Sequence, residues 1–347
     1  MTDPARDREL KGMHPVPALP LSRRSALLAL AGSAVALATP GLVTAASIRP
    51  HDARIVLFLG DSNTYAGTWV GWAETWFRMQ KPQSDTAFIN LGLPSETVSG
   101  LSEPGHAGGS FPRPDLHERL GRALGKIKAD LVIACYGMND GIYFPYSEER
   151  AQRHYDGITR LRTAVLATGA SLIHLTPPTF DPVPLKGRTL PAGRDAYPSP
   201  YEGYDDVLDR YAAWLLAKRS EGWIVGDIHG PMARHLAEHR KAEPGYVLAG
   251  DGVHPGPTGH WLMTRELLRL WGAAAALTDS ESPEPLLQSR PKGREISDLV
   301  ARRQNLLRDS WLTEVGHQRP GMAKGKPPAE IATESAALLT QIRALCP

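Results

Sequence analysis

The sequence predicts an α/β protein of three layers, with a five-stranded parallel sheet between two layers of helices. Short runs rich in Ile, Leu and Val alternate with helix-length segments whose apolar positions recur at helical spacing. The runs are apolar throughout rather than alternating with polar residues, as strands buried on both faces are. A chain of 347 residues with 42% apolar content can also bury a full core around such a sheet.

In order, strands are expected at 54–59, 87–91, 131–135, 171–175 and 223–227. Helices are expected at 69–80, 114–128, 148–167, 204–219, 231–240 and 258–276. Right-handed crossovers would place these helices on both faces and the chemistry at the carboxyl ends of the strands. The Pro- and Gly-rich segment 177–201 interrupts the alternation and reads as a long, substrate-shaping loop over the site. Ser, Glu and Pro over 278–292 mark a linker, and the charged segments 295–312 and 329–345 read as helices appended to the fold. The expected organisation is therefore an export segment at 1–46, a body at 47–277, and a linker with a C-terminal helical extension at 278–347.

Five of the 39 basic residues (Arg6, Arg8, Lys11, Arg23, Arg24) and three of the 37 acidic ones lie in 1–46, so the remainder has no formal net charge. Without a basic stripe it lacks the electrostatic footprint of a nucleic-acid partner. Arg23-Arg24 ahead of an apolar run ending at Thr44-Ala45-Ala46 has the outline of a twin-arginine export signal, with cleavage after Ala45 or Ala46 and an exported mature protein. Gly32, Ser33, Thr39, Pro40 and Gly41 interrupt that run too often for a stable membrane span. Of the two cysteines, Cys135 falls in an expected strand and reads as a buried thiol, while the penultimate Cys346 reads as a frayed-end thiol.

Four blocks carry chemistry. Gly60-Asp61-Ser62-Asn63-Thr64 runs a buried strand into a small-residue turn able to present a serine, although Ser62 alone also reads as a helix cap. Thr64 sets it apart from the Gly-x-Ser-x-Gly elbow. A serine hydroxyl needs a base to remove its proton, and a carboxylate fixes the tautomer of that base. Asp251-Gly252-Val253-His254-Pro255 offers both groups on one tight loop. Acyl transfer also needs donors aimed at the developing oxyanion. Asn90-Leu91-Gly92-Leu93-Pro94-Ser95-Glu96-Thr97 and Gly137-Met138-Asn139-Asp140 lie where such donors belong, and the N–H groups of Ser62 and Gly92 with the amide of Asn139 would supply three. Taken singly, Gly92 and Asn139 read as turn residues.

Together and in this order, over about 54–276, the four blocks resemble the SGNH (GDSL-like) hydrolase superfamily. The resemblance implies a flavodoxin-like fold and a serine esterase working through an acyl-enzyme, without cofactor or metal. It places the nucleophile on Ser62, the oxyanion donors on Gly92 and Asn139 beside the Ser62 N–H, and the acid-base pair on Asp251 and His254. The second block of that family often carries a further glycine where this chain has Ser95, and the first reads Asp-Ser-Asn-Thr rather than Asp-Ser-Leu. Asp61 and Asp140 read as structural. The partner implied is a small-molecule or polysaccharide ester. Trp69, Trp72, Tyr143 and Tyr146, just beyond the catalytic blocks, favour an O-acetylated carbohydrate. A lipid or aryl esterase, an acyltransferase and a non-catalytic binding protein stand as alternatives.

One constellation competes with this reading. His235-Leu236-Ala237-Glu238-His239 matches the His-x-x-Glu-His pattern of inverted zinc peptidases, with both histidines on one helix face. Arg234, Arg240 and Lys241 surround it and no third ligand with supporting context follows in the sequence, so a solvated helix face is expected.

Overall fold

The five apolar runs pair as their composition predicts. In the computed structural model, which describes residues 49–346, Ile55–Gly60 (β1), Ala87–Asn90 (β2), Leu131–Cys135 (β3), Ser171–Leu175 (β4) and Ile224–Gly226 (β5) form one parallel sheet ordered β2-β1-β3-β4-β5. This is the flavodoxin-like order. Phe58 aligns with Asn90 on one side and Ile133 on the other, so β1, β2 and β3 end side by side. The proposed export segment at 1–46 lies outside the described residues.

Between and after the strands run α1 (Ser62–Tyr65), α2 (Thr68–Gln80), α3 (Leu116–Ile127), α4 (Glu148–Leu166), α5 (Tyr204–Ala217), α6 (His229–Ala242) and α7 (Pro257–Leu270). Alternate strand residues face opposite layers. Val56, Phe58, Ile133 and Ile173 pack with Trp69, Phe77, Trp261 and Leu267, whereas Leu57, Leu59, Val132 and Leu172 pack with Leu120, Leu161 and Val165. Asp115 starts α3 by accepting from His117 N–H at 2.9 Å. The helix expected through 276 stops at Leu270, because Gly272 at φ 80° turns the chain and Ala273 N–H caps Leu268 O at 2.9 Å. Short helices α8 (Ala275–Thr278) and α9 (Glu284–Leu287) follow. No helix among the described residues is long and apolar enough to cross a membrane.

The expected C-terminal helices are present, and they pack into the core rather than standing apart from it. Gly293–Val315 (α10) crosses the outer edge of β2, with Ile296 and Val300 in one core layer and Leu312 and Val315 in the other. Gln304 Nε2 donates to Phe88 O at 3.1 Å, satisfying an edge-strand carbonyl. The fully buried Glu74 of α2 accepts from Arg78 Nε at 3.0 Å, from Arg303 Nη1 at 3.1 Å and from Gln304. Arg303 and Gln304 of this charged segment are thus partners of a buried carboxylate. Pro328–Ala344 (α11) packs on α10 and buries Ile342 and Cys346 in the core. Cys346 is therefore a buried free thiol like Cys135, and not a frayed-end one.

Two buried histidines make stability depend on pH. His174 in β4 has no hydrogen-bond partner at either ring nitrogen and stacks on Trp223 with centroids 5.1 Å apart. Burial first, then the charge of Arg162, pushes its pKa down to about 3, and burial pushes His260 in α7 down to about 4. The unfolded chain binds these protons near 6.5, so the stabilising contribution is whole above 6.5 and is lost as pH falls through the folded values. The unfolding free energy from urea titration should decline on acidification below that point, by up to roughly 1.4 kcal/mol per pH unit for each histidine. His174→Phe, which keeps a ring on Trp223, should flatten the decline; a slope equal to that of the parent protein would remove His174 as its cause.

Candidate active site

The turn after β1 is built by one carboxylate. Asp61 caps α1, its Oδ1 accepting from Asn63 N–H at 2.9 Å while its carbonyl accepts from Tyr65 N–H at 2.9 Å. Ser62 thereby stands at the first helical position, its own N–H unengaged among the described residues. Burial pushes the Asp61 carboxyl up to about 7, offset only in part by the Asn63 N–H.

At the other end of the site, Asp251 builds a second turn. Its Oδ1 accepts from Val253 N–H at 2.9 Å and His254 N–H at 2.8 Å, and its Oδ2 lies 2.6 Å from His254 Nδ1. His254 Nε2 lies 2.8 Å from Ser62 Oγ. An ionised carboxylate can only accept, so Nδ1 carries the imidazole proton and Nε2 accepts from the serine hydroxyl. Partial burial works against charge on Asp251, but the bonds from His254 and Val253 hold its pKa below the usual carboxylate value. The three residues named from the sequence are thus brought into one hydrogen-bonded chain, with the side chains of Asp251 and His254 about half exposed.

Gly92 does not fill the place expected of it. Its N–H donates to Asn90 Oδ1 at 2.8 Å and is spent within its own loop. It is a glycine because α1 lies directly against it: a Cβ there would sit 2.2 Å from Tyr65 N. The unengaged N–H of that loop belongs to Ser95, which holds φ 67°, in the region that favours glycine. The sequence contained the signal, since Ser95 stands where the resembled family often has its further glycine.

Asn139, by contrast, is oriented like a donor. Its Oδ1 accepts from Arg113 Nη1 at 2.9 Å and from Tyr143 Oη at 3.2 Å, which settles which end of the amide is nitrogen. Its Nδ2 gives one hydrogen to Glu96 O at 3.1 Å and keeps the other. Arg113 is clamped through Nε and Nη2 by Glu103, at 2.6 and 2.7 Å. Glu96 in turn is held by Arg119 at 2.6 and 2.7 Å and by Tyr136 Oη at 2.6 Å, all buried. Asp140 accepts from Val98 and Ser99 N–H at 2.8 and 2.7 Å, so it fastens the loop after β2 rather than its own turn. Arg113 and Glu103 carried no signal in the sequence, because they lie in an irregular segment outside every motif.

A model of the GDSL-like lipase/acylhydrolase family matches residues 58–262, more than half of the chain. The chain belongs to this family. Residues 58–262 are accordingly an acylhydrolase domain, a domain that acts on ester bonds. No curated protein matches the sequence. Among solved structures, an acetylxylan esterase from Geobacillus stearothermophilus is similar at 20% identity, covering 64% of this chain and 95% of its own, with a TM-score of 0.46. An alpha/beta hydrolase enzyme from the metagenome of Lake Arreo, Spain, is similar at 21% identity, 63% and 95% coverage and a TM-score of 0.45. A gut microbial diltiazem-metabolizing enzyme is similar at 16% identity over 66% of this chain, with a TM-score of 0.47, and the match spans 49% of that enzyme's length.

A cavity of about 520 Å³ opens on the acylhydrolase domain, lined by Glu103, His106, Arg113, Tyr143, Tyr197 and Val253, among others. It adjoins the site, because Arg113 and Tyr143 bond to Asn139 and Val253 sits between Asp251 and His254. The 177–201 loop reaches it through Tyr197–Pro200 and is tied down by Tyr201 N–H donating to Tyr143 O at 2.8 Å. Of the four aromatic residues expected to meet substrate, Tyr143 does line the cavity. Trp69 is fully buried, Trp72 packs edge-on against Trp261 at 6.0 Å, and Tyr146 lies under Arg210 with its hydroxyl on Glu148.

The two positions of the β2 loop should respond differently to substitution. Gly92→Ala should lower stability by about 1–3 kcal/mol, because backbone and not a flexible side chain stands in the way. Ser95→Gly should leave stability within about 1 kcal/mol of the parent, relief of the left-handed conformation offsetting the entropy of glycine. Thermal unfolding of both proteins checks this; a Gly92→Ala protein as stable as the parent would contradict the close approach to Tyr65.

Proposed function

We propose that the chain hydrolyses carboxylic esters by a Ser62-His254-Asp251 triad and that its substrate is an O-acetylated carbohydrate. The observation that carries the reaction is the continuous chain of hydrogen bonds from Ser62 Oγ through the imidazole to Asp251. His254 Nε2 takes the Ser62 proton as Oγ bonds to the ester carbonyl carbon, and the carbonyl π electrons move onto oxygen. Ser62 N–H, Ser95 N–H and the second Asn139 Nδ2 hydrogen receive that charge. The tetrahedral species collapses, the carbon–alkoxide bond breaks, and the imidazolium returns its proton to the leaving alcohol. Water then enters by the same route, giving the acid and free Ser62. Asp251 stays ionised throughout and fixes the tautomer.

The carbohydrate reading is supported by the cavity, whose Arg113–Glu103 pair, His106, Tyr143 and Tyr197 offer hydrogen bonds and aromatic faces to a polyhydroxylated ligand. These polar groups stand beside Ile142, Val253 and three prolines, a mixed wall of the kind that suits a sugar ring. Export through the twin-arginine segment, which the proposal includes, would bring the enzyme to extracellular polymers.

Ser62→Ala or His254→Ala should lower kcat on p-nitrophenyl acetate by at least ~10⁴-fold. Asn139→Ala should cost ~10²–10³-fold in kcat with little change in KM. Undiminished hydrolysis by Ser62→Ala would end the proposal. Acetylated xylan, assayed with and without a sugar acceptor, separates hydrolysis from acyl transfer. Tyr197→Ala should raise KM for the acetylated oligosaccharide and leave that for p-nitrophenyl acetate unchanged; equal effects on both substrates would argue against a sugar-binding wall.

A further inference from the structure

We propose that His235, His239 and Glu281 form a binding site for one divalent transition-metal ion of the zinc type, fastening the segment that leads to the C-terminal helices onto α6. The site is independent of the catalytic one.

His235 and His239 are four residues apart on α6, with ring centroids 4.2 Å apart. The third ligand that the sequence did not offer is Glu281, between α8 and α9, 42 residues beyond His239. His235 Nδ1 lies 3.3 Å from Glu281 Oε1, and His239 Nε2 lies 3.1 Å from Glu281 Oε2. One ligand atom from each residue falls within 4.8 Å of the others. Ligand bonds of about 2.0–2.2 Å to a tetrahedral ion set its edges at roughly 3.3 Å, and each histidine already stands near that distance from one of the two Glu281 oxygens.

His235 supplies the second, independent observation. It is only 6% exposed, and its Nδ1, facing Glu281, is buried without a hydrogen-bond partner. An orphaned buried nitrogen is costly, and a metal ion satisfies it. The other nitrogen, Nε2, lies 2.8 Å from Tyr246 Oη, so Nε2–H can donate there and leave the Nδ1 lone pair for the ion. Tyr246 also stacks on His239 at 4.6 Å. Two of the three cations that made this helix read as a solvated face are engaged with other groups, Arg240 with Asp181 and Lys241 with Glu238, and Arg265 of the neighbouring α7 pairs with Glu266. Three protein ligands leave a coordination position for water.

The test uses the full-length protein, without a polyhistidine tag and stripped by a chelator, titrated with Zn(II) and with Co(II) as a spectroscopic probe. One ion per chain should bind at submillimolar concentration or below, Co(II) should show the intense visible absorption of a low-symmetry site, and the melting temperature should rise with added Zn(II). His239→Gln and Glu281→Gln change side chains that are 37% and 60% exposed, so the fold should survive. Each should weaken binding by ~100-fold or more and abolish the thermal shift, and Tyr246→Phe should weaken binding ~10-fold. Hydrolysis of p-nitrophenyl acetate should be unchanged in His239→Gln and Glu281→Gln. The assignment is overturned if the parent protein binds neither ion, or if a His239→Gln, Glu281→Gln double variant keeps the same stoichiometry and thermal shift.

Discussion

The Asn90 side chain, at the carboxyl end of β2, donates to Thr64 O at 2.7 Å and accepts from Gly92 N–H at 2.8 Å. Through these two bonds it sets how closely the turn presenting Ser62 lies against the loop presenting Ser95. The parallel ladder ends where Leu93 N–H donates to Gly60 O at 2.9 Å, and beyond it the relative placement of the two loops depends on side chains. Asn90 is buried, and leaving either of its ends unmatched would cost more than an exposed bond contributes. Gly92 completes the arrangement from the opposite side, because only the absence of a Cβ lets the two backbones meet.

The remaining loops are held by charge. Glu96, between Arg119 and Tyr136, fixes the end of the β2 loop, and its carbonyl receives one hydrogen of Asn139. Arg113 and Glu103 orient the other end of the same amide. A buried ion pair of this kind adds little net stability compared with a well-packed apolar alternative, since desolvation offsets the attraction. Its value is geometric: it commits Asn139 to one orientation of an amide whose two ends are nearly the same shape. Rigid groundwork of this sort leaves Asp251 and His254 free to stand about half exposed, where a substrate can reach them.

What could be read in the sequence was whatever is local. The strands were legible because each is a continuous apolar run, and the Asp251–His254 pair because its geometry closes within a four-residue turn. Gly92 was misassigned because its N–H is taken by Asn90 two residues back, whose side-chain orientation is set by a tertiary bond to Thr64 in α1. Trp69 and Trp72 follow the Ser62 turn in sequence but belong to α2, whose inward face carries them into the core. Glu281 sits in a linker with no pattern of its own and becomes meaningful only beside α6.

The C-terminal helices are present as expected, but their packing was not legible for a related reason, and their placement bears on the Ser62 turn. A helix whose inward face carries Arg303 and Gln304 looks solvated until the buried Glu74 that neutralises it is found. Further along the same helix, Arg308 donates to Tyr65 O at 3.0 Å and lies 4.1 Å over the Tyr65 ring. Tyr65 closes α1, whose first residue is Ser62, and Tyr65 N is the atom against which Gly92 packs. Thus α10 covers the exposed edge of β2 and braces the serine turn from behind. The segment that lies outside the family-matched region 58–262 is for this chain a structural wall of the site, which ties the position of Ser62 to the folding of the last helices.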